Sequence, residues 1–188
     1  MRNENFSEQL QFGNDGELLI MDLLIGDGFH VIPTFDYKTA FNKAPLLHSL
    51  DHSISPPDLD CAKDGSRFWV EVKRYPLSPW NRTVGCNVHG LQKRKYEDYK
   101  AVESVTGTPV FLAVLEGKRE EKDESRETTG VVLYARLAEL EPLPCMCSGC
   151  QHKWGSCRAP ISANVYFNRS QFTVRWKIGH LINVGAAS

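Results

Sequence analysis

Hydrophobic and polar positions change period several times along the chain, and each change marks an element. From Asp15 to Ile25 the apolar residues Leu18, Met21, Leu24 and Ile25 recur at helical spacing, with Asn14 or Asp15 as the cap and Gly26 and Gly28 as the stop. "FHVIP" then reads as a short strand, and residues 34 to 57 form an irregular connection holding Pro45, Pro56 and Pro57. "PPDLDCAKDGSRFWVEVKRY", residues 56 to 75, alternates with period two on both sides of Asp64-Gly65, a dipeptide suited to a type I′ hairpin turn. "YPLSPWNRTVGCN" reads as a proline-broken loop. A helix is predicted from about Leu91 to Val105, with Tyr96, Tyr99, Val102 and Val105 as its core face and Gly107 as its end.

Pro109 opens the strand "PVFLAVL", "EGKREEKDESRETTG" reads as a solvated loop, and "VVLYARL" reads as another strand. "LAELEPLP" is a short turn or helix, and "NVYFN" and "FTVRW" close the pattern as strands. Helices set between hydrophobic strands predict a mixed α/β sheet in a single domain spanning residues 1–188, with a cysteine-rich insertion at 145–158.

Composition narrows the function class. The chain has 188 residues, enough to bury a core, and 41% hydrophobic with 24% charged residues is the balance of a globular protein. No membrane partner is expected, because the most apolar run, "LLIMDLLIG", is short and carries Asp22. The polar first residues, without an apolar signal segment, predict a cytoplasmic or other intracellular protein. Net charge is −1, yet residues 67 to 100 hold eight Lys or Arg against three acids, an excess of five. Such a stripe suits a phosphate backbone, and it suits a solvated helix face equally well.

The hairpin carries the candidate chemistry. With Asp64 and Gly65 in the turn, Leu59 opposes Val70, Cys61 opposes Phe68 and Asp58 opposes Glu71. One face then holds Leu59, Cys61, Phe68, Val70 and Val72; the other holds Asp58, Asp60, Trp69, Glu71 and Lys73. Opposed carboxylates repel, and a divalent cation bound between them reverses the sign of that interaction. Hard cations take oxygen ligands from one or two carboxylates, leaving the other positions to water and phosphate. Asp60, on the same face, competes with Asp58 for this role; Asp58 is preferred because it lies opposite Glu71.

At these residues the sequence resembles the PD-(D/E)XK nuclease superfamily. Pro57-Asp58 stands for the PD element and Glu71-Val72-Lys73 for the (D/E)XK element. The resemblance spans about residues 13 to 115 and implies a restriction-endonuclease-like α-β-β-β-α-β core, a mixed central sheet flanked by helices. It also implies a Mg²⁺-dependent, or Mn²⁺-dependent, phosphodiesterase acting on DNA that leaves a 5′-phosphate and a 3′-hydroxyl. In that reading Asp58, Glu71 and the Val72 carbonyl hold the metal, and Lys73 positions the attacking water. Glu17 reaches the metal through water, and Gln92 supports the site. Arg74, Arg82, Lys93, Arg94 and Lys95 are the candidate DNA contacts. Small size leans toward a compact structure-selective or phage-type enzyme. A homodimer is compatible with cutting two strands, although no segment identifies its surface. The competing reading is a noncatalytic module on the same fold that grips DNA or a protein.

Cysteine spacing adds a second metal candidate. Cys145, Cys147, Cys150 and Cys157 crowd into "CMCSGCQHKWGSC", and Cys147-x-x-Cys150 has the spacing of a zinc knuckle, with Cys145 or His152 as fourth ligand. Some nucleases of the superfamily carry a four-cysteine iron–sulfur cluster, but their fourth cysteine precedes the first helix, and here no cysteine precedes Cys61. A structural zinc is therefore the expectation. His89 and Trp80 have milder claims: a phosphate contact for the first and a stacked base for the second, with packing against the sheet the commoner fate of such a Trp.

Overall fold

The structure is a computed structural model that describes residues 2–34, 46–48, 53–75, 78–82, 85–119, 128–143 and 164–178. Helix α1 (Arg2–Gly26) leads into β1 (His30–Pro33), and a small hairpin follows, β2 (Leu47–His48) with β3 (Ser53–Ile54). Strands β4 (Leu59–Lys63) and β5 (Ser66–Tyr75) form the central hairpin. Next come β6 (Trp80–Asn81), β7 (Cys86–Gln92) and helix α2 (Lys93–Thr106). The chain continues through β8 (Val110–Arg119), β9 (Thr128–Arg136), β10 (Asn164–Asn168) and β11 (Thr173–Ile178).

Six strands make the main sheet in the order β1-β4-β5-β8-β9-β11, and β10-β7-β6 make a second, three-stranded sheet. Within the main sheet β5 pairs with β8 in parallel, and the other pairs are antiparallel. With the short hairpin β2–β3 and the second-sheet strands β6 and β7 set aside, α1, β1, β4, β5, α2 and β8 come in the α-β-β-β-α-β order that the resemblance implies.

The β4–β5 register is the one the turn dictates: Leu59 opposes Val70, Asp60 opposes Trp69, Cys61 opposes Phe68 and Lys63 opposes Ser66. Asp64 and Gly65 both take positive φ, 50° and 78°, as a type I′ turn requires. This register sorts β5 between two cores. Val70 and Val72 join Leu59, Cys61, Ile20 and Leu24 on the α1 side, while Trp69 joins Tyr96, Tyr99, Val102, Leu112 and Val114 on the α2 side.

Helix α1 starts well before the predicted cap at Asn14 or Asp15. Tertiary contact overrides the local cap signal, because Phe12 and Asp15 both engage Arg74 of β5. The buried stripe is Gly16, Ile20 and Leu24, spaced by four. Leu18 and Ile25, expected on the core face, are half-exposed. At Gly16 an added Cβ would come within 3.2 Å of the Arg74 side chain, so glycine allows the helix to lie close.

Three further expectations need correction. The segment read as a proline-broken loop contains strand β6 and the start of β7. Gly90 disguises β7, since the Tyr166 ring occupies the space a Cβ would need. The solvated loop is shorter than expected, because β8 runs to Arg119 and pairs it with Thr128. Val105, expected in the α2 core, is 70% exposed, and the helix ends one residue later at Thr106, capped by Gly107 in the left-handed conformation. Among the described residues no helix is long and apolar enough to cross a membrane.

Candidate active site

Alternation along β5 sends Glu71 and Lys73 to the α2 side and Val72 and Arg74 to the α1 side. Asp58 lies immediately before β4, where its Oδ2 accepts the Val72 N–H at 2.8 Å. The strand edge thereby brings one carboxylate to the backbone of the segment that carries the other.

Glu71 is 1% exposed and fully engaged. Its Oε1 accepts from the Lys73 ammonium and, at 3.4 Å, from Lys95; its Oε2 accepts from the Tyr99 hydroxyl. Burial alone would push this carboxyl up, but Lys73 and Lys95 outweigh it and hold Glu71 below the ordinary range. Burial also opposes the charge on Lys73, and the Glu71 and Asp58 carboxyls overcome it, so the ammonium is held more firmly than usual. The Tyr99 hydroxyl, pushed up by burial and then by Glu71, stays a neutral donor.

Asp58 behaves in the opposite way. Burial, followed by repulsion from Glu71, lifts its carboxyl to about 8, although Lys73 and Lys95 pull it down. Glu17, on α1, is near enough to add a smaller upward push.

The donors suit a hard divalent cation, because two carboxylates and a backbone carbonyl are all oxygen ligands. The Lys73 ammonium already bridges two of these oxygens, Glu71 Oε1 and, at 3.1 Å, the Val72 carbonyl. Asp58, desolvated beside Glu71, calls for additional positive charge before it ionises at neutral pH.

Asp60 does not share this site. Arg67 clasps it with two hydrogen bonds, Nε to Oδ1 at 2.8 Å and Nη2 to Oδ2 at 2.5 Å. Gln92 stands exposed at the β7–α2 junction and makes no side-chain cap. Lys95 and Tyr99, farther along α2, reach Glu71 instead. Tyr99 reads from the sequence as core, and it is buried; its hydroxyl chemistry lay hidden behind that pattern.

The basic residues divide by face. Arg74 is turned away from the site: it donates to the Phe12 carbonyl at 3.1 Å, lies over the Phe12 ring and comes within 3.9 Å of Asp15. Arg82 is exposed. Lys93 and Arg94 reach Glu97 and Asp98 at 3.6 and 4.0 Å, surface pairs that a phosphate can compete with.

His89 is not exposed. It is fully buried under Tyr75 and Phe172, and its Nε2 lies 2.8 Å from Glu116, which also pairs with Arg169. Burial keeps its imidazole below the usual histidine range despite Glu116. This cluster ties β7 and the Arg169–Gln171 turn to β8. Trp80, expected to pack on the sheet, is 62% exposed.

Cys145, Cys147, Cys150, Cys157 and His152 lie outside the described residues. Among the described residues no group of three or more His, Cys, Asp or Glu side chains gathers to hold a metal, and Cys61 and Cys86 are free thiols.

The strand order and the hairpin register agree on the architecture. It is a mixed α/β fold, a six-stranded sheet with α1 and α2 packed against it. No family model matches the chain, and no curated protein matches it. Among solved structures the chain is similar to Hjc, a Holliday junction resolvase from the archaeal hyperthermophile Archaeoglobus fulgidus, at 13% identity and a TM-score of 0.47. The similarity covers 85% of this chain and 86% of that one.

Proposed function

We propose that the protein is a Mg²⁺-dependent DNA nuclease that hydrolyses phosphodiester bonds at structured sites such as junctions, duplex ends or single-stranded ends. One observation carries the reading: Asp58 and Glu71 converge in a buried site beside Lys73, and Asp58 stays protonated to about 8 without further positive charge. A merely structural pair of carboxyls would gain nothing from that repulsion.

In this reading Asp58, Glu71 and the Val72 carbonyl hold the ion, with Glu17 facing it through water. Bound Mg²⁺ supplies the charge that stabilises the phosphoryl oxygens and lowers the pKa of water. Lys73 holds the attacking water in line with the leaving oxygen and offsets charge growing on the phosphate. Lys95 and Tyr99 fix the Glu71 carboxylate, so its geometry is set before substrate arrives. Hydrolysis leaves a 5′-phosphate and a 3′-hydroxyl. Arg82, Lys93 and Arg94 meet the DNA backbone, Gln92 lies at the rim of the site, and two copies acting together would cut both strands. A structural zinc on Cys145, Cys147, Cys150 and Cys157, or His152 in place of Cys145, belongs to the same proposal and is tested by metal analysis of the purified protein.

The decisive experiment incubates the protein with supercoiled and single-stranded DNA in Mg²⁺, Mn²⁺ or EDTA, beside Glu71→Ala. Cleavage is expected with either metal, and none with EDTA or the variant. Cleavage retained by Glu71→Ala would remove the enzyme reading.

A further inference from the structure

Trp80 sits on β6, the edge strand of the three-stranded sheet, opposite Asn87 of β7. It is 62% exposed, an expensive position for so large an apolar side chain. The hairpin that presents it is ordered by backbone bonds: Gly85 N–H donates to the Asn81 carbonyl at 2.9 Å, and Val88 N–H to the Pro79 carbonyl at 3.0 Å. Gly85 takes a left-handed φ of 66°, which makes that tight connection possible.

The sequence on either side of Trp80 is basic. From Val72 to Tyr96 the sequence has no Asp or Glu, but carries Lys73, Arg74, Arg82, Lys93, Arg94 and Lys95. Arg74 faces α1, and Lys73 and Lys95 hold Glu71; Arg82, two residues after Trp80, is exposed, and Lys93 and Arg94 at the start of α2 form surface pairs with Glu97 and Asp98. Strand β7 joins the two ends, running from Cys86 beside the Trp80 hairpin to Gln92, where α2 begins. At about 3.3 Å per residue, Asn87 lies roughly 17 Å along the strand from Gln92, within reach of one short DNA segment. The Tyr75 hydroxyl donates to the Gly90 carbonyl at 3.0 Å and fixes this strand to β5, which carries Glu71 and Lys73.

From these observations we infer that Trp80 is a stacking platform for an unpaired nucleobase of the DNA strand whose backbone follows Arg82 and the start of α2. An indole face can bind a base only where the base has left its stack, so the platform selects single strands, flaps or forks over continuous duplex. The basic residues that follow Trp80, Arg82 and the start of α2, suit a phosphate backbone. The inference rests on the nuclease reading for its substrate, but the platform is testable by binding alone.

The test measures binding of a fluorescent single-stranded oligodeoxynucleotide and of its fully paired duplex in EDTA, for wild type, Trp80→Ala and Trp80→Phe. Trp80→Ala should weaken single-strand binding about tenfold and leave duplex binding nearly unchanged, while Trp80→Phe keeps most of the affinity. Equal loss on both DNAs, or no loss on either, overturns the platform, as does wild type that binds neither. Mg²⁺ cleavage by wild type is scored separately. Cleavage without a Trp80 effect sinks the platform alone, and a Trp80 effect without cleavage supports the platform while sinking the nuclease.

Discussion

The hydroxyl of Tyr99 donates to Oε2 of Glu71, leaving Oε1 to two lysines. A helix thus reaches across the core to orient a carboxylate that its own strand has buried. The arrangement divides the work, because strand alternation chooses the face and the helix chooses the rotamer.

Tyr99→Phe keeps the ring and removes the donor. Leaving one Glu71 oxygen buried and unsatisfied costs about 1–3 kcal/mol. The expected outcome is a roughly tenfold fall in kcat/KM together with a higher Mg²⁺ requirement, read from metal titrations of cleavage. A variant that lost stability but kept its metal response would limit Tyr99 to packing.

Asp58 and Asp60 should separate cleanly. Asp58→Asn removes a ligand and is expected to lower cleavage about a thousandfold, a loss of about 4 kcal/mol in transition-state stabilisation. Asp60→Asn only opens the clasp with Arg67, whose side chain is 57% exposed, and should stay within about twofold of wild type. Parallel rate measurements on one DNA substrate decide between them.

Asp58 also imposes a pH dependence on the metal-free protein. Its folded value of about 8 lies above the ordinary 3.8, so the folded chain keeps a proton that the unfolded chain releases. Its contribution to stability is therefore fully present below about pH 4 and is lost as pH rises through about 8. In EDTA the urea midpoint should fall between pH 6 and pH 9, and Asp58→Asn should flatten that fall. Mg²⁺ added at the higher pH should restore the midpoint of wild type and leave the variant unmoved.

Arg74 and Arg94 should fail in different assays. Arg74→Ala loses the Phe12 carbonyl and ring and is expected to cost about 1–3 kcal/mol of stability with DNA affinity intact. Arg94→Glu, on an exposed face, should change stability by no more than about 0.5 kcal/mol while weakening DNA binding and flattening its salt dependence. Melting curves and salt titrations of binding, run on both variants, distinguish the two roles.

The central hairpin was legible because its signals agree: period-two alternation, an Asp-Gly turn, and a face on which acids appear where apolar residues should. Strand β7 was not, since Gly90 gives up its side chain to the Tyr166 ring and breaks the alternation a reader relies on. Tyr99 was correctly placed in the core while its role went unseen, because apolar periodicity does not distinguish a hydroxyl that binds from one that is merely tolerated. Counting charges misled at Arg74. A tally of basic residues ignores parity along β5, and parity sends Arg74 to the side away from Glu71 and Lys73. The onset of α1 was missed because Phe12 and Asp15 are held by a residue about sixty positions away in sequence.

The two-residue turn at Asp64-Gly65 works as a gauge for chemistry performed at the far end of its strands. Tips of surface hairpins usually absorb extra residues without harm. Here one inserted residue would exchange inward and outward positions on one arm relative to the other, and a well-folded protein could emerge with its acids on opposite sides of the sheet. The length of this small exposed bend is therefore under the same constraint as the buried acids themselves.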